Sequence, residues 1–351
     1  MVILQVCGYA AVYGGNFIAS LIALAKDMKE KGHETEFLFP EQVRDKDWCV
    51  ELSQHWKVHF AQLNRFSIQT YFQIKEAMKS ADIIHSHFEL YDMLVVLAAR
   101  PNQKIFWHLH DEIVENVDSI HMAINKVQYK YFGKKVILIS TSEYYARKLT
   151  EIGFKNDNIR FVENCVDFSR LYFEQKKKKY DFLIFGGFYY KKGLDVALEA
   201  CRLLKDKYKY KLGIVGYDKT WEWIDEKYKD LSNVIETIKP QENINDLYNS
   251  SGVFISASRH ETFSYALLEA LYLKKPAIIS RIEGTKWAER YPTVKVFESE
   301  NALDLGQAME QYLSGNFWYK EEEPGKVLEE VKASYNIGKW VESIEEIYFY
   351  E

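Results

Sequence analysis

The chain has no excess of positive charge. Its 351 residues sum to a formal net charge of −5, with a pI near 6.1, so nothing global draws it to nucleic acid and any basic surface would have to be local. Cysteine is scarce. Cys7, Cys49, Cys165 and Cys201 are scattered without metal-ligand spacing and read as reduced thiols of a cytosolic protein, and Cys165 and Cys201 lack the basic, exposed setting of a reactive one. No uncharged run is long enough to span a bilayer. The opening MVILQVCGYAAVYGG lacks the basic segment of a secretory signal and reads as a first strand and loop. Such a protein is expected to be soluble or at most peripherally attached. No Gly-x-Gly-x-x-Gly leads from a strand into a helix, which disfavours a dinucleotide-dependent oxidoreductase.

What is abundant is apolar and aromatic. At 47% hydrophobic and 15% aromatic residues, large cores are available and global disorder is excluded, and the length favours two domains. Short apolar runs alternate with helical patterns: Val2–Val6, Glu34–Phe39, Val58–Phe60, Asp82–Ser86, Lys104–His108 and Val136–Ser140 read as strands. The segments Ile159–Val166 and Arg170–Tyr180, the latter with the solvated lysine run Lys176–Lys179, read as a surface connection between domains. Alternation then restarts with strands at Phe182–Phe185, Leu212–Val215, Val234–Ile238, Val253–Ser256, Ala277–Ser280 and Val294–Phe297, and closes on a helix from Ile337 to Tyr350. The pattern predicts an α/β protein of two Rossmann-like, doubly wound parallel sheets facing across a cleft. The expected domains are 1–170, 171–335, and a C-terminal helix at 336–351 packing back toward the first. Ligands of such sheets bind beyond the carboxyl ends of the strands. The loops Gly8–Gly15, His108–Glu112, Gly186–Gly193 and Arg259–Glu261 are therefore expected to line the cleft.

The stretch RHETFSYALLEALYLKKP, Arg259–Pro276, organises the rest. Ala266, Leu267, Ala270 and Leu271 recur at helical spacing, and Thr262 or Ser264 can cap the helix start. Glu261 stands before the helix and Glu269 within it. The helix neighbours of Glu269, Tyr265, Ala266, Tyr272 and Leu273, include no cation. A buried carboxylate there needs donors from elsewhere, and sugar hydroxyls are good ones. The N–H groups of Phe263, Ser264 and Tyr265 would meet an anion such as a phosphate. The spacing alone leaves open a solvent-facing helix glutamate beside a capping loop.

Several further motifs align in order along nearly the whole chain. They are Gly14-Gly15, the Gly32-His33-Glu34 turn, the D-I-I-H-S-H strand at Asp82–His87, W-H-L-H-D with His110, N-C-V-D with Cys165, and F-G-G-F-Y-Y-K-K-G-L-D. Together with Glu261 and Glu269 as a Glu-x7-Glu pair, the chain resembles the retaining glycosyltransferases of family 4, which have the two-domain GT-B architecture. The resemblance implies that Glu269 binds the donor ribose and Glu261 the donor sugar, while Phe263–Tyr265 N–H groups hold the diphosphate. Lys192 would neutralise the leaving diphosphate. His110 would face the donor sugar, with Gly14 and Gly15 letting the backbone approach. In the diphosphate loop Gly187 stands where the family usually has arginine, so Lys191 or Arg259 would have to substitute.

The implied reaction moves a sugar from a nucleotide-diphosphate sugar to a hydroxyl of a glycan or lipid-linked glycan, in bacterial surface polysaccharide or glycoconjugate assembly. His110, Glu261 and Lys192 would be its catalytic residues. No metal-binding Asp-x-Asp is identified and no metal or other cofactor is expected. The expected location is the cytoplasm, with peripheral contact at the inner membrane face. The alternatives are a sugar-nucleotide epimerase of the same architecture and a catalytically silent binding partner. His85 and His87 with Glu89 lack a third metal ligand at suitable spacing and read as a strand-end polar cluster. His108 reads as a buried, hydrogen-bonded core histidine. The stretch Val127–Lys135, with interleaved aromatics and lysines, reads as a solvated helix end before a membrane contact.

Overall fold

The computed structural model describes residues 1–110, 127–151, 153–187, 189–241 and 243–349. The chain divides into two compact units. Residues 1–165 and 337–351 form the first, and 166–336 the second.

The first unit is built on a seven-stranded sheet of β1 (Val2–Cys7), β2 (Glu34–Pro40), β3 (Lys57–Ala61), β4 (Ile83–His87), β5 (Lys104–Leu109), β6 (Ile137–Ser140) and β7 (Ile159–Phe161). Their spatial order is 3-2-1-4-5-6-7, and every pairing is parallel. The central strands are apolar because helices cover both faces. Ile74, Tyr91, Val95, Trp107 and Leu138 pack one core, and Ile3, Leu24, Met28, Phe106 and Ile139 another. The helix Ile337–Phe349 completes the second of these with Trp340, Val341, Ile344 and Tyr348.

The second unit repeats the plan in six strands: β8 (Tyr180–Phe185), β9 (Leu212–Val215), β10 (Ile235–Ile238), β11 (Ser251–Ser256), β12 (Ala277–Ser280) and β13 (Val294–Phe297). Their order is 10-9-8-11-12-13, again all parallel. The helices Leu194–Leu204 and Ala302–Leu313 cover one face, and Tyr265–Tyr272 and Glu323–Ser334 the other. In both sheets the strand order reverses once, between β1 and β4 and between β8 and β11. That is the switch point at which such sheets bind ligands.

Two expectations need correction. The first boundary lies between Cys165 and Val166 instead of after 170, because Val166, Phe168 and Leu171 join the second unit's core and Val166 bridges to Asn336. The segment expected to be a plain connection also contributes β7, a three-residue edge strand paired with β6. Within Val127–Lys135 Gln128 and Tyr129 are buried, while Tyr131 is exposed. Lys176, Lys178 and Lys179 make exposed ion pairs with Asp246, Asp181 and Glu236 on the way into β8.

Candidate active site

The second unit gathers its polar groups at the carboxyl ends of β8 and β11. The loop after β8 docks on the loop after β11 through backbone: the Arg259 N–H donates to the Lys191 carbonyl at 2.9 Å. Gly193 makes the fit possible. It has φ +60, and a Cβ there would lie 1.9 Å from the Ala257 carbonyl oxygen, so only glycine fits. This docking brings the Lys192 ammonium to Glu261, where it donates to Oε1, as does the Ser258 hydroxyl at 2.9 Å. Glu261 is buried, and its Oε2 has no hydrogen-bond partner among the described residues. Gly284 lets the turn Glu283–Ala288 press against Glu261, since a Cβ there would lie 2.0 Å from the Glu261 carbonyl oxygen. That positioning role was not read from the sequence.

The helix Tyr265–Tyr272 starts directly after Ser264, whose side chain makes no capping bond, and Phe263 and Tyr265 flank that start. One turn on, Glu269 is buried. The sequence reading found no cation for it. The structure supplies Arg170, whose Nη2 donates to Glu269 Oε1, while the Tyr248 hydroxyl lies 3.3 Å from Oε2. The helix-spacing test could not find Arg170, because the pair spans 99 positions. Burial raises the Glu269 carboxyl above the usual carboxylate range, and Arg170 and Tyr248 oppose that rise.

Gly187 is hemmed in. A Cβ there would lie 2.9 Å from the Tyr217 ring, and the Thr220 hydroxyl donates to the Gly187 carbonyl at 3.2 Å. Arg259 does not substitute for the missing arginine. It grips Asp195 through two bonds of 2.7 Å and Glu300 through one of 2.7 Å, and lies over the Tyr190 ring at 4.2 Å. Its charge is spent clamping the loop. Lys191 instead lines a cavity of about 560 Å³ with Gly187, Tyr189, Tyr190, Tyr217 and Lys219.

In the first unit Gly14 and Gly15 begin the helix Gly15–Glu30, Gly15 at φ +56. Cys165, in the place of the usual glycine, is buried with Sγ 3.6 Å from the Ser20 hydroxyl, and its carbonyl accepts from Asn16 Nδ2 at 2.5 Å. Phe88 and Glu89 follow β4 at φ 63 and 52, a costly backbone for non-glycine residues. The Phe88 ring lies 4.6 Å from that of His110, and Glu89 accepts from the Tyr129 hydroxyl at 2.6 Å. Asp111 and Glu112, also expected in this region, lie outside the described residues.

The histidines correct two readings. His85, His87 and His108 bring ring nitrogens within 4.8 Å of one another, so the third imidazole comes from the adjacent strand β5. Both nitrogens of His87 are already engaged, however, with His110 and Gln5 at 2.9 Å each. His108 is buried as expected, but neither ring nitrogen has a hydrogen-bond partner among the described residues. Burial lowers the basicity of His85, His87 and His108, and takes His110 down to about 3. All four imidazoles are therefore neutral at ordinary pH. A literal Asp-x-Asp does occur, contrary to the sequence reading: Asp45-Lys46-Asp47 is exposed or half-exposed at the start of the helix Asp47–His55.

Two family models match, and between them they span most of the chain. Residues 19–170 match Glycosyltransferase Family 4, and 169–325 match Glycosyl transferases group 1. The chain belongs to this family of glycosyltransferases, and its fold is of the GT-B class. Similar solved structures include a glycosyltransferase from Rickettsia africae (20% identity, TM-score 0.80, covering 99% of this chain and 97% of that one). Anabaena HepE in complex with UDP-glucose is 12% identical with a TM-score of 0.81, each chain covered completely. Sucrose-phosphate synthase from Thermosynechococcus elongatus is 16% identical, with a TM-score of 0.79 and coverage of 99% and 98%. No curated protein sequence matches the chain. Among the described residues no helix is long and apolar enough to cross a membrane.

Proposed function

We propose that the chain is a retaining glycosyltransferase that moves a sugar from a nucleotide-diphosphate sugar to a hydroxyl of a glycan or lipid-linked glycan. The observation that carries this reading is the Lys192–Glu261 pair beside the start of the Tyr265–Tyr272 helix, with a second buried carboxylate one turn further in. A leaving diphosphate gains charge in the transition state, so a fixed ammonium and a helix N-terminus stabilise it selectively. Glu269 retains lone pairs after Arg170 and Tyr248 are served, and Arg170 opposes the rise that burial imposes on its carboxyl, which favours it as an acceptor for ribose hydroxyls.

Glu261 is read as a group that orients the donor sugar, because a carboxylate engaged by an ammonium and a hydroxyl is a weakened nucleophile. The reaction then needs no covalent glycosyl-enzyme. The bond from the sugar to phosphate weakens, and the acceptor oxygen enters on the same face. The departing phosphate oxygen takes the acceptor proton. Lys192 and the helix start offset the charge on phosphate. A metal-independent reaction, a role in bacterial surface polysaccharide assembly and work at the cytoplasmic membrane face belong to this proposal, on the strength of the family resemblance.

The test is incubation with a panel of sugar nucleotides, with and without a lipid-phosphate extract, followed by NMR of the product anomer. Release of nucleoside diphosphate only with acceptor, and an unchanged anomeric configuration, is the expected result. A changed sugar nucleotide without acceptor would make the protein an epimerase. Donor binding without turnover would make it a silent binder, a reading favoured by the crowding of Gly187 against Tyr217.

A further inference from the structure

The short helix Asn245–Asn249 buries three side chains with polar ends, Asn245, Tyr248 and Asn249. A buried amide is costly unless both its ends are satisfied. The two asparagines satisfy theirs on a single stretch of backbone. Asn245 Nδ2 donates to the Arg170 carbonyl at 3.0 Å, and its Oδ1 accepts from the Tyr172 N–H at 2.9 Å. Asn249 repeats the pattern two residues on, donating to the Tyr172 carbonyl at 2.9 Å and accepting from the Glu174 N–H at 3.2 Å. The two repeats match because four residues of helix rise about 6 Å and two residues of extended chain span about 6.6 Å. Side-chain packing holds less of this stretch, since Tyr172 and Phe173 are each 48% exposed.

That backbone carries Arg170. Among the described residues its guanidinium meets Glu269 end-on, through Nη2 alone, and its Nε is buried without a hydrogen-bond partner. A two-pronged grip would fix a guanidinium by itself, whereas an end-on contact takes its aim from the chain behind it. Tyr248 is the weaker partner of the carboxylate. Its one proton faces two acceptors, the Ala266 carbonyl at 2.8 Å and Glu269 Oε2 at 3.3 Å. The helix Asn245–Asn249 thus holds both sides of the ion pair, Arg170 by its carbonyl and the helix of Glu269 by the carbonyl of Ala266. We propose that Asn245 and Asn249 are positioning residues for the nucleotide, a strap that holds the segment 170–174 so that Arg170 stays on Glu269 and the carboxylate stays set to accept ribose hydroxyls. This deepens the reading of Glu269 as a ribose ligand and rests on it. Every group in the strap belongs to the second unit.

The experiment is calorimetry of the full chain with UDP, GDP, ADP and CDP, the tightest of which is then titrated into each variant at about pH 6 and about pH 8.5. At the lower pH Asn245→Ala should bind it about tenfold more weakly than wild type, the scale of one hydrogen bond to a charged group. The deficit should shrink at the higher pH. With Arg170 loosened, burial holds the Glu269 carboxyl protonated, and rising pH restores the carboxylate. In a Glu269→Gln background Asn245→Ala should cause no further loss, because the strap acts only through that carboxylate. Asn249→Ala leaves the Arg170 carbonyl bonded and should show a smaller deficit of the same form; it decides the matter should Asn245→Ala fail to fold. Unchanged affinity in the strap variants that fold, a deficit equal at both pH values, or one that persists in Glu269→Gln would overturn the strap and leave the ribose reading standing. Wild-type affinity in Glu269→Gln itself, or no binding of any of these nucleotides, would overturn the ribose reading and the strap with it.

Discussion

Glu269 and Arg170 lie 99 positions apart in sequence, yet the carboxylate is buried against the guanidinium. Removing the cation leaves a buried charge uncompensated. In Arg170→Ala the Glu269 carboxyl should therefore be raised further than burial already raises it. A carboxyl whose folded pKa exceeds its unfolded one stabilises the fold at low pH, and that stability fades as pH rises through the folded value. Melting curves of Arg170→Ala should show little loss near pH 5 and a growing loss toward pH 8; equal losses at both would contradict this. Glu269→Gln tests the same carboxylate as a ligand. Calorimetry with a nucleoside diphosphate should show affinity reduced on the order of tenfold or more, since hydrogen bonds to a charged acceptor contribute about 1.5–3 kcal/mol. Unchanged affinity would remove the ribose role. Lys192→Ala should lower kcat on the order of 10²–10³-fold, as loss of one transition-state contact does, with a smaller change in donor affinity. Steady-state kinetics showing the reverse split would reassign Lys192 to ground-state binding.

At the scale of the element, the loop after β8 holds its place through a backbone contact. Gly193→Ala puts a methyl group into the Ala257 carbonyl at a positive φ. It should detach the loop from β11 and cost turnover about as much as Lys192→Ala, with only a modest fall in thermal stability because the loop is peripheral to the core. Wild-type turnover in that variant would show that the docking does not matter. The strands were readable in advance because an all-parallel sheet covered on both faces needs continuous apolar runs, and the expected Leu212–Val215, Ala277–Ser280 and Val294–Phe297 match β9, β12 and β13. β7 was not readable. It has three residues at a sheet edge and none is buried, so it carries no apolar signature. The site divides similarly. Glu269 declares itself by interrupting an apolar helix pattern, and Glu261 by standing in the turn before it. Arg170, Gly284 and the alignment of Gln5 with the histidines depend on chain segments meeting in space, and no local spacing encodes that.

The whole molecule is two units, one of them discontinuous. Deleting residues 337–351 would strip Trp340, Val341, Ile344, Ile347 and Tyr348 from the first unit's core. At about 1.5–3 kcal/mol for each buried large apolar side chain, the loss is comparable to the whole stability of a typical domain. Limited proteolysis of the truncated chain should degrade the first unit and leave a resistant fragment close to 166–336; equal resistance of both would show that the helix is dispensable. The same discontinuity reverses the usual order of events during synthesis, in which the earliest-made domain settles first. Here the opening 165 residues emerge from the ribosome with one flank of their sheet bare, and must wait through the making of an entire second unit before their last helix arrives. The first unit is therefore completed only after the second, and in the interval it is the one in need of chaperone shelter.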